Sequence, residues 1–221
     1  MSVITIYETL GDTWKSNIGS SINSVPSDSF VGTIDSATGH LVVTNEASKE
    51  FAGGLISENL PVPANTKYFG LDVVFDLSAD DFPHFARGEN DLKVTFSGGA
   101  QANGSTQWND DKKMWQLDPS GQTWVDSGYN KPPVVGRNKW QVRIFFDGTK
   151  WSITGLRFND DPTPFVPGTQ FQNIPAIATN WGAGLHPQLQ TEARKAPWYL
   201  REVYERVRVI ASDSPIPWSF D

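Results

Sequence analysis

Lys139–Phe158, KWQVRIFFDGTKWSITGLRF, reads as two strands joined by a turn at Asp147-Gly148. Asp-Gly suits a two-residue type I′ turn, whose central residues both need positive φ. That register pairs Phe146 with Thr149, Ile144 with Trp151, Val142 with Ile153 and Trp140 with Gly155. The large residues, Phe145 excepted, then share one face, so turn and pattern agree. Gln141 and Arg143 fall on the opposite, outward face. Beyond Gly155 the apolar parity moves to Leu156 and Phe158, which predicts a β-bulge.

The same period-two alternation, the mark of half-buried strands, runs through much of the chain. In KYFGLDVVFDLS, Phe69, Leu71, Val73, Phe75 and Leu77 point one way, with Asp72 and Asp76 opposite. DLKVTFSGG sets Leu92, Val94 and Phe96 against Asp91, Lys93, Thr95 and Ser97. VITIY, HLVVTN and GLISENL are shorter strand candidates, and the stretch from Asn17 to Ser29 reads as an early loop. Near the end, Leu200, Val203, Tyr204 and Val207 follow helical spacing, while Val203, Val207 and Val209 alternate. The β-branched run and the Asp-Ser-Pro after it favour a closing strand at about 203 to 211.

A second hairpin is read in MWQLDPSGQTWVDSG, Met114–Gly128. Asp118-Pro119-Ser120-Gly121 fits a type I turn closed by a Gly bulge, which sets Asp118 opposite Gln122. Trp115, Leu117, Thr123 and Val125 then face the core. Trp124 lies on the other side with Gln116, Gln122 and Asp126.

At 221 residues, 38% of them hydrophobic, the chain is expected to form one β-sandwich domain over residues 1–221. Its formal charge of 18 − 25 = −7 argues against nucleic acid as a partner. There is no cysteine, so the fold needs no oxidising compartment. The N-terminal MSVITIYETLGDTWK lacks a basic segment followed by an apolar one, so no secretory signal is expected and a cytoplasmic location is the default. No apolar run approaches the roughly 20 residues needed to insert across a membrane.

The order of TWVDSG, then NKWQVRIFFDGTKWSITGL, then QLQTE and YERVRVIAS resembles the concanavalin A-like lectin/glucanase jelly roll, particularly its laminin-G-like members. The likeness spans about residues 40 to 211 and rests on strand pattern with no diagnostic motif. It implies an all-β, two-sheet antiparallel jelly-roll sandwich with a concave face that often binds glycans. Enzymes of this superfamily carry two glutamates flanking an aspartate on one strand. Here the nearest match is Glu89-Asn90-Asp91-Leu92-Lys93-Val94, in which Lys93 or Val94 stands where the second glutamate belongs. A nucleophile and acid pair is therefore incomplete.

Nine tryptophans direct attention to stacking. An indole offers flat, rigid area to the C–H face of a sugar ring, and neighbouring amides and carboxylates select hydroxyls. Trp140, Trp151 and Trp115 are assigned to the core, while Trp124 and Trp108 stand between core and ligand surface. The expected function is non-catalytic, lectin-like binding of a glycan or polysaccharide. Trp124 and Trp108 would stack, and Asn109, Asp110, Asp91, Gln141 and Arg143 would select. The alternatives are a polysaccharide-active hydrolase or lyase of the same fold, or a structural module. No cofactor is required. Calcium is possible at Asp80-Asp81, Asp110-Asp111 or Asp160-Asp161, although none forms a spaced ligand loop. His40, His84 and His186 lack metal-ligand spacing and read as surface or turn residues.

Overall fold

The computed structural model describes residues 4–8, 15–17, 30–45, 51–56, 60–82, 90–97, 100–103, 105–109, 111–118, 124–178, 184–193 and 200–219. In chain order the strands are β1 (Ile4–Glu8), β2 (Lys15–Asn17), β3 (Phe30–Ile34), β4 (Leu41–Asn45), β5 (Phe51–Ile56) and β6 (Tyr68–Leu77). Then come β7 (Asn90–Ser97), β8 (Ala100–Asn103), β9 (Ser105–Asn109), β10 (Met114–Asp118), β11 (Val125–Asp126) and β12 (Gly136–Phe146). The last are β13 (Lys150–Phe158), β14 (Ile174–Pro175), β15 (Ile177–Ala178), β16 (Gly184–Ala193) and β17 (Leu200–Ser212).

Two antiparallel sheets result. The first runs β14-β13-β12-β6-β17-β4-β3, with β1 added along β17. The second runs β11-β10-β9-β7-β16-β5-β2, with β8 also beside β7 and β15 beside β8. Alternation on β6 is as expected: Phe69, Leu71, Val73, Phe75 and Leu77 are all buried inward. Register continues their rows into the neighbours, as in Phe158–Trp140–Val73–Val207 and Leu156–Val142–Leu71–Val209. From the second sheet Trp108, Trp115 and Leu117 join the same core. The Trp115 ring stacks on Trp140 at 4.2 Å and 20°, which locks the two sheets face to face. This is the two-sheet antiparallel jelly-roll sandwich expected from the sequence.

Both hairpins keep their expected faces but not their expected registers. In the first, Asp147 N–H donates to Lys150 O (2.9 Å), so the turn is centred on Gly148-Thr149, one residue later than expected. Of Asp147 and Gly148 only the glycine has positive φ (105°), which excludes a type I′ turn on that pair. The cause is the Asp147 carboxylate: its Oδ1 accepts from Thr149 N (2.7 Å), Thr149 Oγ1 (3.0 Å) and Lys150 N (2.7 Å). Aspartate here opens the turn instead of occupying its centre. Phe146 consequently faces Trp151 and Ile144 faces Ile153. Each partner moves by two residues, so every side chain stays on its face. The bulge lies between Arg143 and Ile144, opposite Thr154, one residue before Gly155, and Val142 then meets Leu156 while Trp140 meets Phe158.

In the second hairpin Leu117 pairs with Val125 and Gln116 with Asp126, again two positions beyond expectation. The turn at 118–121 and Gln122 lie, apart from Asp118, outside the described residues. The closing strand β17 extends from Leu200 to Ser212, resolving the helix alternative in favour of strand. Residues 18–29 of the expected early loop also lie outside the described residues.

Candidate functional site

A polar ladder crosses the outward side of β9, β10 and β11. β9 and β10 join through a tight turn in which Asn109 Oδ1 accepts from Lys112 N (2.9 Å) and Lys113 adopts φ 54°. That geometry sets Asn109 opposite Met114 and Gln107 opposite Gln116. The Gln116 amide is then used at both ends. Its Oε1 accepts from Gln107 Nε2 (3.0 Å) and Asn109 Nδ2 (3.1 Å), and its Nε2 donates to Asp126 Oδ1 (2.7 Å). Lys112 Nζ closes the ladder on both Asp126 oxygens, at 3.0 and 2.9 Å.

This wiring fixes which end of each amide is donor and which is acceptor. Hydrogen bonds from Lys112 and then Gln116 hold the Asp126 carboxyl below its usual range. Gln107 and Gln116 are buried, whereas Lys112 and Asp126 keep 51% and 42% of their side-chain surface in solvent. Trp124 is half-buried and precedes β11 at the same alternation as Asp126. An indole, an ion pair and a row of oriented amides therefore occupy one stretch of one face. Backbone register extends the row from Asp126 through Gln116 and Gln107 to Asp91 on β7 and Gln190 on β16.

The sequence-derived candidates divide. Asn109 belongs to this ladder, Trp124 stands one residue before β11 at the alternation of Asp126, and Asp91 stands at the register position of Gln107 on β7. Asp110 lies outside the described residues. Trp108 is corrected: its ring is 2% exposed and set edge-on to Trp115 (5.7 Å, 68°), so it packs the core and offers no stacking face. Gln141 and Arg143 point away from the core as expected, but from the other sheet, and they are covered. The 213–219 segment folds over them: Gln141 Nε2 donates to Trp218 O (2.8 Å) and Arg143 Nη2 to Pro217 O (3.0 Å). Gln107, Gln116, Lys112 and Asp126 complete the site instead. Hairpin parity already placed Gln116 and Asp126 beside Trp124.

Asp81, Asp160 and Asp161 each have protein partners. Asp81 accepts from Ser78 Oγ (2.7 Å) and pairs with Arg201, and Asp160 pairs with Lys139. Asp161 accepts from Thr163 N (3.1 Å) and pairs with Lys131. Among the described residues no three metal-ligating side chains gather. No helix among them is long and apolar enough to cross a membrane.

No family model and no curated protein sequence matches the chain. Solved structures do. A glycoside hydrolase family protein from Mycobacterium thermorestibile matches with TM-score 0.50 and 10% identity, covering 93% of this chain and 99% of that one. Arcelin-5, a lectin-like defense protein from Phaseolus vulgaris, matches with TM-score 0.48 and 11% identity over 95% and 98%. An endo-1,3-beta-glucanase from Streptomyces sioyaensis matches with TM-score 0.48 and 12% identity over 94% and 95%. At such identities the likeness concerns fold alone. The chain has the concanavalin A-like lectin/glucanase fold.

Proposed function

We propose that this chain is a non-catalytic carbohydrate-binding module that receives a glycan on the outward face of β9–β11 and β7. The observation that carries this reading is the Gln107–Gln116–Asp126–Lys112 ladder, with the half-buried Trp124 one residue before β11 at the alternation of Asp126. The indole supplies apolar area of low conformational entropy, the exposed Lys112 and Asp126 meet the ligand's hydroxyls, and the buried Gln107 and Gln116 hold that pair in place. Screening the chain on a glycan array, with and without calcium, tests it: saturable binding of one glycan class without turnover is expected.

Hydrolysis is the second reading, and one register fact favours it. Asp126 stands three strand spacings from Asp91, roughly 14 Å, beyond the separations of about 5–5.5 Å or about 6.5–9.5 Å used by retaining and inverting pairs. Glu192, however, lies two positions along β16 from Gln190, the register partner of Asp91. That is the diagonal of a strand pair, about 7–8 Å between backbones. Release of reducing sugar that Asp91→Asn and Glu192→Gln each abolish would decide for the hydrolase.

A further inference from the structure

Lys112 and Asp126 form the solvent-facing end of the ladder, and their hydrogen-bonding capacity is only partly used. An ammonium carries three N–H groups. Lys112 Nζ gives one bond to Asp126 Oδ1 (3.0 Å) and one to Oδ2 (2.9 Å), which leaves one N–H unspent among the described residues. Each carboxylate oxygen has about two lone-pair sites. Oδ1 fills both, with Lys112 and with Gln116 Nε2 (2.7 Å), whereas Oδ2 accepts from Lys112 alone among the described residues. The pair therefore presents one free donor and one free acceptor side by side. Both side chains are open to water, Lys112 at 51% and Asp126 at 42% exposure, so a ligand reaches them without opening the fold.

The groups behind the pair fix its position. Gln116 is buried and holds Oδ1, while its own Oε1 is held by Gln107 and Asn109. Asn109 Oδ1 also accepts from Lys112 N, which pins the turn that carries the ammonium. A sugar hydroxyl both donates and accepts, and two of them on neighbouring carbons stand side by side. One hydroxyl can then donate to Asp126 Oδ2 while its neighbour accepts from Lys112 Nζ. Trp124 lies two residues before Asp126, roughly 7 Å along an extended chain, a distance that one sugar ring can bridge. The ion pair is already neutral, and the exposed Asp111 precedes Lys112 in the same turn. A carboxylate or sulfate on the ligand would therefore meet carboxylates, with the nearby ammonium already neutralised.

On the glycan reading of this face, we infer that the Lys112–Asp126 pair selects neutral sugars by gripping two vicinal hydroxyls, one on Asp126 Oδ2 and its neighbour on Lys112 Nζ. In a methyl hexopyranoside the 3-hydroxyl belongs to every vicinal pair on the ring, so its removal alone abolishes them all. The methyl glycosides of glucose, galactose and mannose are each titrated into the ¹⁵N-labelled chain, beside their 3-deoxy derivatives and their uronates. The Gln116 side-chain amide reports binding, assigned from its loss in Gln116→Glu. At least one parent glycoside is expected to bind saturably, with its 3-deoxy derivative and its uronate at least about tenfold weaker. Lys112→Met and Asp126→Asn remove an exposed ion pair that adds little stability, so both variants should fold. Each should weaken the parent glycoside about tenfold or more and its 3-deoxy derivative far less. Equal binding of parent and 3-deoxy derivative, or of parent and uronate, would overturn the inference while leaving glycan binding in place. So would wild-type affinity in either variant, or equal weakening of parent and 3-deoxy derivative, which marks a merely structural role. Failure of all three parents would overturn it too, and the glycan array then decides separately whether the face binds a glycan at all.

Discussion

Trp115 touches more of the core aromatics than any single strand pairing would suggest. Its ring lies on Trp140, meets Trp108 edge-on and leans on Phe158 at 5.3 Å, while its Nε1 donates to Lys131 O (2.8 Å). Trp115→Ala should therefore cost about 3–5 kcal/mol in chemical denaturation, the range for emptying a large aromatic from a core. Trp124→Ala should cost much less, because that residue is only partly buried; equal losses would place both rings in the core. Tyr129 supplies a pH-dependent test. Its hydroxyl accepts from Phe158 N (3.0 Å) and donates to Asp161 Oδ2 (3.4 Å), and burial first, then the Asp161 charge, pushes its pKa up to about 12. A raised folded pKa stabilises fully below the unfolded value near 10 and is lost as pH rises towards about 12. Wild type should lose more stability between pH 10 and 12 than Tyr129→Phe. Parallel curves for the two proteins would show that the phenol is not the titrating group.

Strand elements were legible where alternation was uninterrupted, and ambiguous where a bulge broke it. β17 shows why. Its register slips between Tyr204 and Arg206, so Tyr204 and Val207 both face inward, and an inward i, i+3 pair imitates a helix. The hairpins erred in register for a related reason: period two fixes the face, but partners two residues apart satisfy it equally. Only the side-chain chemistry of the turn decides, and in the first hairpin Asp147 does so. Gly148→Val should cost at least about 1 kcal/mol, since φ is 105° and no L side chain sits there without strain. The space around that Cα is open, so strain alone is measured. An unchanged melting temperature would reject the turn.

Across the molecule, one continuous core joins both sheets, so a single cooperative unfolding transition is expected; two separated transitions would divide the chain into independent units. The site was legible only in part, because strand parity tells inside from outside and says nothing of what lies over the outside. Gln141 and Arg143 were read correctly as outward, yet Pro217 and Trp218, over seventy positions away, cover them. Trp108 was open between two fates until its neighbour Trp115 was placed. Breaking the Arg143–Asp72 pair with Arg143→Met should cost about 3–5 kcal/mol, because Asp72 would remain buried and unpaired; a loss under about 1 kcal/mol would mean that Asp72 finds water instead. Glycan recognition itself is decided by calorimetric titration of an array-selected oligosaccharide into wild type, Trp124→Ala and Thr154→Trp, a change at an exposed position on the first sheet. Binding at least about tenfold weaker in Trp124→Ala, with wild-type affinity in Thr154→Trp, is expected if the indole beside the ladder is the stacking surface. Wild-type affinity in Trp124→Ala, or no glycan bound by any of the three, would contradict it.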